Sequence, residues 1–141
     1  MTYSRDLKSS AKRTIKSAQI LYDSAENGDK SSCKAVAGYL FGLAGELAVK
    51  EIMRQSDPSL AKNTVKKDDP FYAHFPSLKA RLKENIKGRH AGKLRKIADE
   101  AQLFQYWDIK MRYAPTKDIQ LEWVTAWKLS AERLIIEMGT L

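Results

Sequence analysis

The chain has 141 residues, 43% of them hydrophobic and 30% charged, with one Cys, two His and a formal net charge of +8. That is enough chain for one domain with a real core. A lone Cys33 excludes an intrachain disulfide framework and suits a reducing cytoplasm, and one Cys with two His argues against a structural zinc site, so no metal or cofactor is expected.

The positive excess favours polyanions, whether nucleic acid, nucleotide or an acidic partner, or else it serves solubility alone. Ala35 to Gly45, the longest apolar run, is too short to cross a bilayer, and Met1 to Lys16 is polar and basic without the apolar centre of a secretory signal. No membrane partner is expected. Ala, Leu, Lys and Glu dominate and no stretch alternates Val, Ile and Thr, so the fold class expected is all-α.

Leu7, Ala11, Ile15, Ala18, Tyr22 and Ala25 recur at three and four, which predicts a first helix from about Ser4 to Asn27, stopped at Asn27-Gly28. Ser31 or Ser32 caps a second helix running to about Gln55, where Ser56-Asp57-Pro58-Ser59 ends it. Residues 57–76 hold three of the four prolines and read as irregular, with room for a helical turn near Ser59–Val65. Pro76 opens a third helix through Leu78, Leu82 and Ile86. Gly88 and Gly92 bracket a break, and a fourth helix carries Leu94, Ile97, Ala101, Phe104 and Met111 as far as Pro115. A fifth, from about Thr116 to Met138, presents Ile119, Trp123, Trp127, Leu134 and Met138. This is an up-and-down bundle of four to five helices in one domain over residues 1–141, with neither linker nor internal repeat.

The second helix is unusual in two ways. Gly38, Gly42 and Gly45 share a face, although each Gly inside a helix costs about 1 kcal/mol relative to Ala; they imply close approach by another helix. Glu46 sits where a core helix carries Leu or Ala, and a buried carboxylate needs a partner, for which Arg112 is the first candidate. Asp108 precedes Arg112 by four residues and on a helix reaches it, so that Glu46, Asp108 and Arg112 form one polar network.

Three stretches combine into a pattern: Gly38-Tyr39-Leu40-Phe41-Gly42-Leu43-Ala44-Gly45-Glu46-Leu47-Ala48-Val49-Lys50, then His74-Phe75-Pro76-Ser77-Leu78-Lys79, then Trp107-Asp108-Ile109-Lys110-Met111-Arg112-Tyr113-Ala114-Pro115. This resembles the HEPN family, helical domains named for nucleotide binding in higher eukaryotes and prokaryotes, with the parts in the same order from about residue 4 to residue 139. The resemblance implies a helical bundle that often forms homodimers. Many members are metal-independent endoribonucleases of toxin–antitoxin, phage-defence or RNA-processing systems, which makes an antitoxin-like protein a candidate partner. Active members carry Arg, a polar residue, and a His some four to six residues after the Arg, and these act on the scissile phosphate and the 2′-hydroxyl. Here Arg112 is followed by Tyr113 through Asp118 with no His. The expectation is therefore a non-catalytic module that binds nucleotide or nucleic acid.

If the chain is instead a ribonuclease, His74 or His90 must be brought to Arg112 by the fold or by a second subunit. His74 otherwise packs or caps near Pro76. His90 lies in the Gly-bracketed turn Lys87-Gly88-Arg89-His90-Ala91-Gly92-Lys93, which is either a weak phosphate cradle or a solvated turn. The binding surface expected is the run of eight basic residues in eighteen, Lys79 to Lys96, with Lys79, Lys83, Arg89 and Lys93 as contacts and only Glu84 opposing them. Arg112 and Tyr113 join it as cation and stacking ring. A third alternative is a protein-interaction adaptor whose apolar dimer face matters and whose charge keeps it in solution.

Overall fold

Helix α2 (Lys34–Ser56) runs through the centre of the computed structural model, which describes residues 4–30, 32–59 and 70–140. It lies between α1 (Leu7–Glu26) and α5 (Leu121–Gly139), while α3 (Ser77–Glu84) and α4 (Ala91–Asp99) form a short hairpin at its C-terminal half. Among the described residues there are five α-helices and no strand, and the helices pack as a bundle. None of these helices is long and apolar enough to cross a membrane.

The sequence pattern places α1 well. Asp6 caps it by accepting from the Ser9 N–H at 3.0 Å, and Leu7, Ala11, Ile15 and Ala18 are its buried stripe. α2 begins at Lys34 with Cys33 in the capping position and no side-chain cap, so Ser32 does not cap it; Ser31 lies outside the described residues. The turn expected over Ser59–Val65 lies outside them too, apart from Ser59 itself.

The fourth helix is shorter than predicted. It stops at Asp99, and the chain then turns irregularly through Trp107 with Phe104 and Tyr106 at φ of 53° and 70°. Burial of aromatic rings overrides local helix preference there. The sharp backbone aims Phe104 and Trp107 at α2, where an added Cβ on Gly45 would lie 2.3 Å from Phe104 and one on Gly42 1.9 Å from Trp107. Only Gly38 meets another helix, against Val124 and Trp127 of α5. The small-residue face of α2 is thus filled mainly by rings from a loop. The segment Ile109–Tyr113 is a 3-10 turn capped by Asp108, and Thr116–Asp118 is another, so α5 starts at Leu121.

Side chains supply what the broken helix lacks. The Lys79 ammonium donates to the Glu100 and Leu103 carbonyls, and the Trp127 indole donates to the Gln105 carbonyl at 2.9 Å.

Candidate functional site

Glu46 is buried, only 2% exposed, but its partner is not Arg112. One carboxylate oxygen accepts from the Phe75 backbone N–H at 2.7 Å, and the other lies 2.9 Å from His74 Nδ1. The cause is the ring packing just described. Phe75 stacks on Phe104 at 4.8 Å and meets Trp107 edge-on at 6.3 Å, which drives the Phe75 backbone down onto α2. Burial pushes the Glu46 carboxyl up from the ordinary carboxylate range, while the bonds from His74 and Phe75 and the nearby Lys50 charge act against that rise.

The His74 side chain is 44% exposed. It lines an open cleft of about 640 Å³ together with Tyr72, Ser77, Arg81, Asp108 and Lys110. With Glu46 ionised, Nδ1 donates to it and Nε2 is left as an acceptor. An imidazole oriented by a buried carboxylate, in a cleft that Arg81 and Lys110 also line, can take a proton from a hydroxyl or water held beside a phosphate. The His74 carbonyl also accepts from the Leu78 N–H at 2.7 Å, so the residue helps start α3 as the sequence suggested.

Arg112 and His90 sit elsewhere along α2. Arg112 lines a separate cavity of about 300 Å³ beside Tyr39. Hydrogen bonding to Tyr39, then to Tyr113, pushes its guanidinium pKa up, and the guanidinium lies 4.9 Å from the Tyr113 ring centre. Asp108 caps the Lys110 N–H at 2.8 Å and, among the described residues, forms no ion pair with Arg112. His90 opens α4, its N–H donating to Ser56 Oγ at 3.0 Å, and Ser56 Oγ donates to the Lys87 carbonyl at 2.7 Å. Gly88, at φ +93°, lies so close to Ser56 that a Cβ would meet its carbonyl oxygen at 1.9 Å. The turn is tied to α2 through the His90 N–H and the close approach of Gly88, while Lys87, Gly88, Arg89 and Gly92 are exposed. At 1.5 Å per residue, Tyr39, Glu46 and Ser56 mark three stations on α2 separated by about 10 and 15 Å. The expected polar network therefore splits, and each candidate occupies its own station.

Within the basic run, Lys79 and Lys93 turn inward. Lys79 holds the two carbonyls after α4, with burial lowering its pKa, and Lys93 reaches the Glu137 carbonyl at 3.5 Å. Lys83, Lys87, Arg89, Arg95 and Lys96 are exposed, and among the described residues only Lys87 has a carboxylate partner, Asp57 at 3.4 Å. No cluster of three or more His, Cys, Asp or Glu is placed to hold a metal among the described residues.

The Glu46–His74 pair was missed in the sequence because it joins residues 28 apart through a loop. Its one local sign is a His-aromatic-Pro start to a helix. Comparison with protein-family models, curated proteins and solved structures finds no match to this chain.

Proposed function

We propose that this chain is a HEPN-like, non-catalytic module that binds nucleic acid or nucleotide through α3 and α4, acting in the cytoplasm as a homodimer in a toxin–antitoxin or phage-defence setting. The observation that carries the binding role is the set of exposed cations Lys83, Arg89, Arg95 and Lys96, without carboxylate partners among the described residues, on a chain of net charge +8. Such a surface neutralises phosphates, and counterion release makes the affinity fall steeply with salt.

The test is anisotropy of a labelled RNA across a salt series. Wild type binds at low salt, and Lys83→Glu with Arg95→Glu and Lys96→Glu binds far more weakly with a shallower salt slope. Failure of the wild type to bind any nucleic acid at low salt overturns the proposal. For the homodimer, the α2 glycine face and the Trp127 face of α5 are not free, since the glycines lie under rings and Trp127 is buried. Leu121, Leu129 and Ile136, exposed along one stripe of α5, are the surface that supports it. Light scattering at tens of micromolar decides; a monomer removes the dimer.

One observation favours a second reading, a ribonuclease with a displaced histidine. His74, held by buried Glu46 and open to a cleft with Arg81 and Lys110, has the geometry of a general base. In that reading Lys110 and Arg81, not Arg112, face the phosphate. Cleavage of a structured RNA in the presence of chelator, abolished by His74→Ala and kept by Arg112→Ala, would establish it over the non-catalytic module.

A further inference from the structure

The recess beside Arg112 is built from the packing upward. Gly42 admits the Trp107 ring against α2, and the Trp107 indole donates to the Gly38 carbonyl at 3.2 Å. Tyr39 then lies nearly parallel to Trp107, with ring centres 5.9 Å apart and planes at 18°. This fixes Tyr39 as one wall of the recess. Val36, Met111 and Ile119 line it with apolar side chains. Arg112 closes the rim, placed over Tyr113, which is 76% exposed at the end of the 3-10 turn.

Three properties meet at the recess and its edge: a guanidinium on the rim, the exposed Tyr113 ring beside that guanidinium, and an apolar hollow. Among the described residues the guanidinium forms no ion pair, and its partners are tyrosines. A carboxylate ligand would use the cation and leave the ring and hollow unfilled. An apolar partner would fill the hollow and bury the cation without a counter-charge. A nucleobase with its phosphate satisfies all three, since every base has a face that stacks on aromatic or guanidinium planes. About 300 Å³ is at the small end for ligand sites, a scale suited to one base rather than a large cofactor. A base still stacked in a duplex cannot enter.

We infer that the recess lined by Tyr39 and Arg112, with Tyr113 beside its rim, receives one unpaired base of a single-stranded nucleic acid, with the adjoining phosphate on the Arg112 guanidinium. This rests on the nucleic-acid-binding reading above and adds strandedness to it. The α3–α4 surface supplies attraction for any polyanion, and the recess selects strands with a free base.

The experiment uses a short single-stranded RNA with 2-aminopurine at one internal position, and the same strand annealed to its complement. Wild type is expected to bind the single strand about tenfold more tightly than the duplex, with 2-aminopurine emission altered by stacking. Tyr113→Ala and Arg112→Ala each bring the two affinities together, and Tyr113→Phe restores the preference. Both side chains are exposed, so an unchanged thermal unfolding midpoint separates lost binding from lost fold. Equal binding of single strand and duplex by wild type, or a preference untouched by both alanine variants, overturns the recess and leaves the α3–α4 surface standing. Absence of binding to either probe at low salt overturns both.

Discussion

The seam of α1, α2 and α5 and the segment from Glu100 to Asp118 bury their side chains by different rules. In the seam, Ala11, Ala18, Ala37, Ala44, Ala48 and Ala131 are fully buried at helical spacing, and backbone hydrogen bonds are made within each helix. In the segment the backbone is irregular, large rings meet glycines, and Lys79 and Trp127 side chains satisfy its carbonyls. Apolar periodicity specifies the seam. The segment depends on a few particular contacts, so single substitutions there should cost more than their position in a loop suggests.

The sharpest way to break this contrast is Trp107→Ala. It removes a buried ring stacked on Tyr39 and an indole bond to Gly38, and should cost about 4 kcal/mol by urea denaturation. A loss under about 1 kcal/mol, ordinary for a surface loop, would refute the contrast. Next is Glu46→Ala, which leaves the Phe75 N–H buried without an acceptor and should cost about 3 kcal/mol. Glu46→Gln keeps an oxygen for that N–H and an amide able to face His74 Nδ1, so it should cost well under 1 kcal/mol at neutral pH.

A pair of identical substitutions sharpens the comparison further. Gly42→Ala drives a Cβ into Trp107 and should destabilise by about 2 kcal/mol. Gly92→Ala meets nothing within 4 Å in α4 and should stabilise by about 0.5 kcal/mol. Two thermal melts check the opposite signs.

The smallest effect is on pH dependence, where two buried carboxylates of α2 oppose each other. The Glu46 pKa is raised above its ordinary 4.5, chiefly by burial, so the native state holds its proton more tightly than the unfolded chain. Its contribution is full below pH 4.5 and is lost as pH rises through the raised value. The Glu51 pKa is lowered, chiefly by hydrogen bonding to Arg54, so its contribution is full above pH 4.5 and is lost as pH falls through the lowered value. Stability measured from pH 3 to 8 should therefore lose its alkaline-side fall in Glu46→Gln and part of its acid-side fall in Glu51→Gln. Identical profiles for both variants would contradict the assignment.

The sequence made the seam legible because Leu7, Ala11, Ile15 and Ala18, like Trp127, Leu134 and Met138, repeat with the period of the helix that buries them. Glu46 was legible as a buried charge because it interrupts such a pattern. Its partner was not, since nothing in the local pattern ties His74 to a residue 28 positions earlier. The glycines announced a close approach without naming what approaches, because a ring and a helix require the same missing Cβ. Apolar spacing overstates helix four because Ala101, Phe104 and Met111 keep that spacing although the helix ends at Asp99. Arg112 and Asp108 were paired by a helical spacing that a 3-10 turn does not preserve.

The two indole hydrogen bonds run in sequence. Trp127 on α5 grips the Gln105 carbonyl, and Trp107, two residues further on, grips the Gly38 carbonyl on α2. The loop is thereby pinned to both helices as one rivet holds two plates. Amide deuteration should register this: the N–H groups of Leu103 and Trp107, in a non-helical stretch, should open only when α5 parts from α2, and so exchange at the slow pace of the seam.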